Sequence, residues 1–230
     1  MPIPEVLESL FAMMKQLLDQ RIPILVMTKA KIPARFFELF AQFPRLVNVQ
    51  IGLTTANDRV RALIEPNAAV VEDRLQNISS LVAINVKIEL RMDPLIPMLT
   101  DTDDSLRTLL QEAARRGCRQ VIASFLHVRP AFRATMSIRH GGWDFDKVYE
   151  SLYSQPAKLG GTGSGILLPS TAYRQERVKA IKKFAAGFGI TTRVCACKNP
   201  DLAADKCLPN VLESDVSDQL AFSLQRKEGK

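Results

Sequence analysis

The sequence predicts an α/β fold of about five short parallel strands with flanking helices, arranged as an incomplete (β/α) barrel or as an open doubly wound sheet. Three observations predict it. Short apolar runs alternate with longer amphipathic ones along most of the chain, the pattern of βαβ units. Crossovers between such strands are right-handed, which makes neighbouring strands parallel. Polar residues collect just after the apolar runs, where α/β folds bind ligands. Five strands are too few for a closed eight-stranded barrel.

Leu7, Leu10, Phe11, Met14, Leu17 and Leu18 recur at helical spacing and give the first helix an apolar face. Pro23 ends that stretch, and Ile24-Leu25-Val26-Met27 reads as a fully buried strand leading to Thr28-Lys29. Pro33 and Phe36-Phe37 open a second helix that stops before Pro44. Leu46 to Leu53 is the second strand. Thr54 to Asp58 supply a loop and a helix cap, followed by helices over 58–64 and 70–81. The third strand is expected over 83–92, closed by Asp93-Pro94-Leu95-Ile96-Pro97. Asp103-Asp104 is expected to cap a helix running to Arg116 that Gly117 terminates. The fourth strand covers 121–128. Helices are expected near 131–137 and 144–154, then a glycine-rich loop. A helix over 174–188, capped by Gly189, leads to the fifth strand at 190–196. A cysteine-bearing tail (195–230) with a short helix at 216–224 completes a single domain of 230 residues.

The chain is 47% hydrophobic and 24% charged, with a net charge of +7. These are the proportions of a globular protein with a sizeable core. The positive charge suits a basic enzyme first, and could favour an anionic partner such as nucleic acid bound with release of counterions. Its densest runs are Arg115-Arg116 with Arg119, and Lys179 with Lys182-Lys183. Without interleaved aromatics they lack the look of a single-strand-binding surface. No apolar run is long enough to cross a bilayer and no secretory leader is recognisable, so reduced cytoplasm is the expected compartment. The 4 cysteines, Cys118, Cys195, Cys197 and Cys207, are too few for a disulfide scaffold.

The strand ends carry the candidate site. Lys29 ends the first strand, Thr54 and Thr55 the second, Arg91 and Asp93 the third, His127 and Arg129 the fourth, and Cys195 and Cys197 the fifth. Lys29, Arg91 and Arg129 on one rim would anchor a carboxylate or phosphate. His127 is a candidate acid–base group or a packed histidine. Glu65 either ends a helix before Pro66 or pairs with Arg91 or Arg74. Gly160 to Gly165 lacks the Lys-Ser/Thr of a phosphate loop and reads as a flexible loop or lid. Cys195, Cys197 and Cys207 supply three thiolates, enough to hold a metal or an iron–sulfur cluster. Cys118 is expected to be a small buried apolar residue.

Several stretches, taken in order, resemble the radical S-adenosylmethionine superfamily, in the branch similar to spore photoproduct lyase. They are Val26 to Pro33, Val49 to Asp58, Ile64 to Ala68 with Arg74, Arg91 to Pro97, Phe125 to Pro130, Ala172-Tyr173-Arg174 and Cys195 to Leu202. The resemblance covers roughly residues 5–210. It implies a partial parallel barrel, S-adenosylmethionine as cofactor, and a [4Fe–4S] cluster that reductively cleaves it for radical chemistry. On this likeness Lys29 contacts the methionine carboxylate, Thr54 or Thr55 lies near the ribose, and Arg91 lies near the carboxylate or substrate. The family's C-x₃-C-x₂-C loop does not occur in the sequence. Its place in the family lies upstream of the first strand found here. The expectation is therefore a truncated or split lyase-like enzyme, completed by a segment or subunit carrying the cluster motif. Cys195, Cys197 and Cys207 are left for an auxiliary metal site. Alternatives are a non-catalytic remnant or partner subunit of the same fold, and a barrel enzyme in which Lys29 forms a Schiff base.

Overall fold

The computed structural model describes residues 3–130, 133, 138–158, 165–196, 198–199 and 201–202. In chain order the first elements are α1 (Pro4–Asp19), β1 (Ile24–Thr28), α2 (Ala34–Gln42), β2 (Val47–Gly52), α3 (Asp58–Ile64) and α4 (Val71–Ala83). Next come β3 (Lys87–Leu95), α5 (Asp103–Arg115), β4 (Gln120–Phe125), and the short strands β5 (Arg139–His140) and β6 (Trp143–Asp144). Then follow α6 (Phe145–Leu152), β7 (Tyr153–Lys158), β8 (Gly165–Pro169), α7 (Thr171–Gly187) and β9 (Thr191–Val194).

Five strands form one sheet in the order β1-β2-β3-β4-β9, and every neighbouring pair is parallel. The order never reverses. Right-handed crossovers that always step the same way leave their helices on one face, whereas a doubly wound sheet needs a switch point. The fold is therefore the partial barrel. Its core confirms the one-sidedness. Val49, Ile51, Leu90, Met92, Val121 and Ala123 pack in one cluster with Leu18 of α1, Phe40 of α2, Ile78 of α4, Leu109 of α5 and Ile181 of α7. Side chains alternate across a strand, so Asn48, Gln50, Glu89, Arg91 and Ser124 project from the opposite, concave face. All six residues of β2 are buried, as expected of a parallel strand covered on both sides.

Several expectations need correction. β1 is not fully buried: it is an edge strand, and Met27 is 62% exposed. β3 starts at Lys87 because α4 runs on to Ala83 and Asn85 turns the chain at φ +58°. It also continues past Met92 through a register shift, so that Leu95 pairs with Phe125. The cap of α5 is Thr102, which accepts from Ser105 N at 3.3 Å, while Asp103 and Asp104 lie in the first turn. β4 stops at Phe125, and Val128 leaves the sheet to bridge Leu167 of β8.

The stretch after β4 holds the largest departure. β7 and β8 form an antiparallel hairpin, and Val128, Phe145, Val148 and Tyr153 make a second small apolar cluster. The glycine-rich stretch connects these two strands rather than two helices. Gly165 begins β8, and residues 159–164 lie outside the described residues, as do most of the helix expected near 131–137 and all of that at 216–224. Gly117 (φ +90°) and Gly189 (φ +68°) end their helices as expected. Among the described residues no helix is long and apolar enough to cross a membrane.

Candidate functional site at the barrel mouth

Parallel strands present all their carboxyl ends on one rim. There Lys29, Gln50, Gly52, Arg91, Asp93 and Lys198 line a cavity of about 320 Å³. Lys29 and Arg91 thus meet at one mouth, as the strand-end positions predicted. Thr54 and Thr55 do not act together. Thr54 is 1% exposed, and its Oγ1 has no hydrogen-bond partner among the described residues. Thr55 Oγ1 accepts from Asn57 N at 3.0 Å, while Asn57 Oδ1 accepts from Arg59 N and Val60 N to cap α3. Thr55 therefore shapes the turn and lines a separate cavity beside Thr102 and Ser105.

The three cations that line the mouth are all held. Lys29 Nζ donates to Glu65 Oε1 at 2.5 Å, and Arg74 Nη1 donates to Glu65 Oε2 at 2.7 Å. Glu65 thus pairs with Arg74 and Lys29, not with Arg91. Arg91 binds Asp93 Oδ2 through Nε at 3.0 Å and Nη2 at 2.8 Å. Burial works against the charged guanidinium, but Asp93 and Cys195 outweigh it and leave its pKa raised. Lys198 Nζ donates to the same Asp93 at 2.8 and 2.9 Å.

The concave floor below the mouth is a hydrogen-bonded chain. Arg193 pairs with Glu89. Gln50 Nε2 donates to Glu89 Oε2 at 2.8 Å, and Arg91 Nη1 donates to Gln50 Oε1 at 3.1 Å. Glu89 and Gln50 are each 1% exposed, a burial that polar groups tolerate when paired. Sequence reasoning missed Gln50, Glu89, Arg193 and Lys198. The signal available was strand alternation: Asn48 and Gln50, like Glu89 and Arg91, are polar at every second position of otherwise apolar strands.

His127 is half-buried, and its pKa is pushed down by burial and then by Lys198, against the pull of Asp93. That places it near the same charges. Arg129 is exposed. Cys195 is 1% exposed, its N–H donates to Ala123 O at 3.1 Å, and its side chain meets Arg91. Cys197 and Cys207, the other two thiols of the expected auxiliary site, lie outside the described residues. Among the described residues no group of three His, Cys, Asp or Glu is arranged to hold a metal ion. Cys118 is buried, as expected, with Sγ donating to Gln120 O at 3.2 Å.

No protein-family model matches the chain. It is 23% identical over 198 residues to a protein named Radical SAM Nalpha-GlyT isomerase from Pseudomonas phage M6, a match covering 85% of this chain and 40% of that protein. A single-site mutant of spore photoproduct lyase superposes with a TM-score of 0.59 at 14% identity, over 75% of this chain and 51% of that one. Another mutant of that enzyme, with bound AdoMet and dinucleoside spore photoproduct, superposes with a TM-score of 0.56 at 12% identity, over 74% and 50%. The sheet and its helices thus share the fold of the two lyase structures. The chain spans between two fifths and about half of the length of the proteins it matches.

Proposed function

We propose, from this similarity to radical S-adenosylmethionine proteins of the spore photoproduct lyase branch, that the chain forms the strand–helix body of such a protein. The observation that carries the reading is the meeting of Lys29 and Arg91 on one mouth. The cavity is of the size that ligand sites begin at, and its cations suit the carboxylate of S-adenosylmethionine. Bound with a [4Fe–4S] cluster, this cofactor supplies reductive C–S bond cleavage that starts radical chemistry. In this reading Lys29 holds the methionine carboxylate, since it keeps 40% of its side chain exposed at the mouth. Arg91, fixed by Asp93 and Gln50, orients the carboxylate or an anionic substrate. Thr54 supplies a hydroxyl for the ribose.

The cluster is another matter. The described residues offer no three-ligand set, so its ligands belong to a segment outside them, either in the same polypeptide or in a separate subunit. A second reading is a non-catalytic remnant or partner subunit that keeps this fold and binds the cofactor or its relatives without cleaving them. A nucleic acid or another anionic molecule is a substrate class compatible with the net charge of +7.

Two measurements test this. Calorimetry of the chain with S-adenosylmethionine should show one saturable site; no binding defeats the cofactor reading. Anaerobic incubation with iron and sulfide should give a stronger thiolate–iron absorption band with the cluster-bearing segment supplied than the thiols of this chain give alone. A band that develops without any turnover favours the non-catalytic reading.

A further inference from the structure

Lys29 follows β1, yet its side chain does not hang free. Its stem lies across Gly52 at the end of β2: a Cβ on Gly52 would sit 2.8 Å from Lys29 Cγ and 2.9 Å from Cε. The ammonium then meets Glu65. Glu65 in turn is gripped by Arg74, whose Nη1 also donates to Gly52 O at 2.7 Å. Arg74 Nε donates to Ala69 O at 2.8 Å, and Ala69 N donates to Lys29 O at 2.9 Å. The contacts close a ring through the end of β1, the end of β2 and the turn between α3 and α4.

The exposures within the ring are graded. Arg74 is 0% exposed, Glu65 10% and Lys29 40%. A free lysine samples many rotamers and must settle on one when it binds an anion; here the ring settles it beforehand. Charge matters as much. Glu65 alone would neutralise Lys29 and cancel its pull on a carboxylate. Arg74 balances Glu65 from the buried side, so the ring carries a net single positive charge whose exposed end is Lys29.

We propose that Glu65, backed by Arg74, and the bare α-carbon of Gly52 are positioning elements that fix the Lys29 ammonium at the mouth for a carboxylate ligand. The proposal rests on the reading of the mouth as an S-adenosylmethionine site, and it assigns the discrimination of that ligand's carboxylate to residues that need not touch it.

The test uses the full 230-residue chain. Affinities for S-adenosylmethionine and for 5′-methylthioadenosine, which lacks the amino-acid carboxylate, are measured by calorimetry for the unsubstituted chain, Gly52→Ala and Glu65→Gln. Lys29→Met sets the floor. Each positioning variant should lose about tenfold in S-adenosylmethionine affinity, the worth of a weakened hydrogen bond to a charged group, with methylthioadenosine binding unchanged. Loss of fold would weaken both ligands alike. Gly52→Ala meets the lysine stem first and keeps the test open if Glu65→Gln does not fold. An unchanged ratio of the two affinities in both variants overturns the proposal. Independently, Lys29 labelling by acetic anhydride, read by mass spectrometry, should be faster in Glu65→Gln and in Gly52→Ala. If the unsubstituted chain binds neither nucleoside, the cofactor reading falls. The labelling then decides the positioning alone, and equal rates in all three chains overturn it.

Discussion

Arg91 and Asp93 stand two residues apart on β3 and bind each other, Nη2 to Oδ2 at 2.8 Å, with side chains only 16% and 8% exposed. The cation that the strand-end pattern offers to a ligand is thus already half engaged, and the carboxylate that engages it also holds Lys198. Asp93 is the hub of the mouth. Its removal leaves two cations facing each other with little water to screen them.

The first prediction follows from that hub. Asp93→Ala should lower stability by about 3 kcal/mol, as breaking a buried pair does. In the Asp93→Ala background, the further change Arg91→Met should cost less than it does alone, because the orphaned charge goes with it. Urea unfolding of the four chains of the cycle measures both; additive costs would show that the pair is not coupled.

A second concerns Asp101, which is 1% exposed in the loop after β3. Burial raises its pKa from 3.8 to about 6, opposed by the Tyr173 hydroxyl that donates to it at 2.9 Å and by Met98 N. A carboxyl with a raised folded pKa binds more protons folded than unfolded between these values. Stability should therefore fall by about 3 kcal/mol as pH rises from about 4 to about 6, then stay level with respect to this group. Asp101→Asn should abolish that descending limb in pH-dependent urea midpoints.

Asp201 predicts the opposite sign. The hydrogen bond from fully buried Arg174 pulls its pKa to about 2, helped by Thr171. Its contribution is complete above about 4 and is lost as pH falls from there toward about 2. Because Asp201 is partly solvated, Asp201→Asn should cost only about 1 kcal/mol near neutrality. The difference between the two chains should vanish below about pH 2 in acid titrations followed by circular dichroism.

Gly117 provides a backbone test. Its φ is +90°, and a Cβ there would lie 3.0 Å from Val82 Cγ1. Gly117→Ala should cost about 1–2 kcal/mol from the left-handed conformation that ends α5. A thermal midpoint unchanged from the original chain would show that the turn relaxes freely.

How much of this was legible in the residues themselves depends on the range of the interaction involved. Helices over Leu7–Leu18 and 58–64, and the strand at Val47–Gly52, follow from local periodicity and breakers, so the sequence reads them well. The hairpin of β7 and β8 escapes the sequence because Tyr153 and Leu167 are stabilised by packing with Phe145 and Val128, which no local pattern reveals. The end of β3 was misplaced because Pro94 reads as a terminator, while Leu95 still pairs with Phe125 on the neighbouring strand. At the mouth, residue types at strand ends disclosed Lys29, Arg91 and Asp93. They could not disclose that Glu65 chooses Lys29 and Arg74 over Arg91.

By itself the sequence determined the alternation of strand and helix, and with it which residues stand at the carboxyl ends of the strands, since both are set by short-range periodicity. Tertiary structure decided what periodicity left open between the incomplete barrel and the doubly wound sheet: the strand order never reverses, so the helices stay on one face. It also decided that a concave floor of buried charge runs from Arg193 to Lys198. The reason is distance: Glu89 and Arg193, or Asp93 and Lys198, lie about a hundred positions apart in the chain, and meet only because the sheet sets β3 and β9 on either side of β4, where their side chains reach across the concave face.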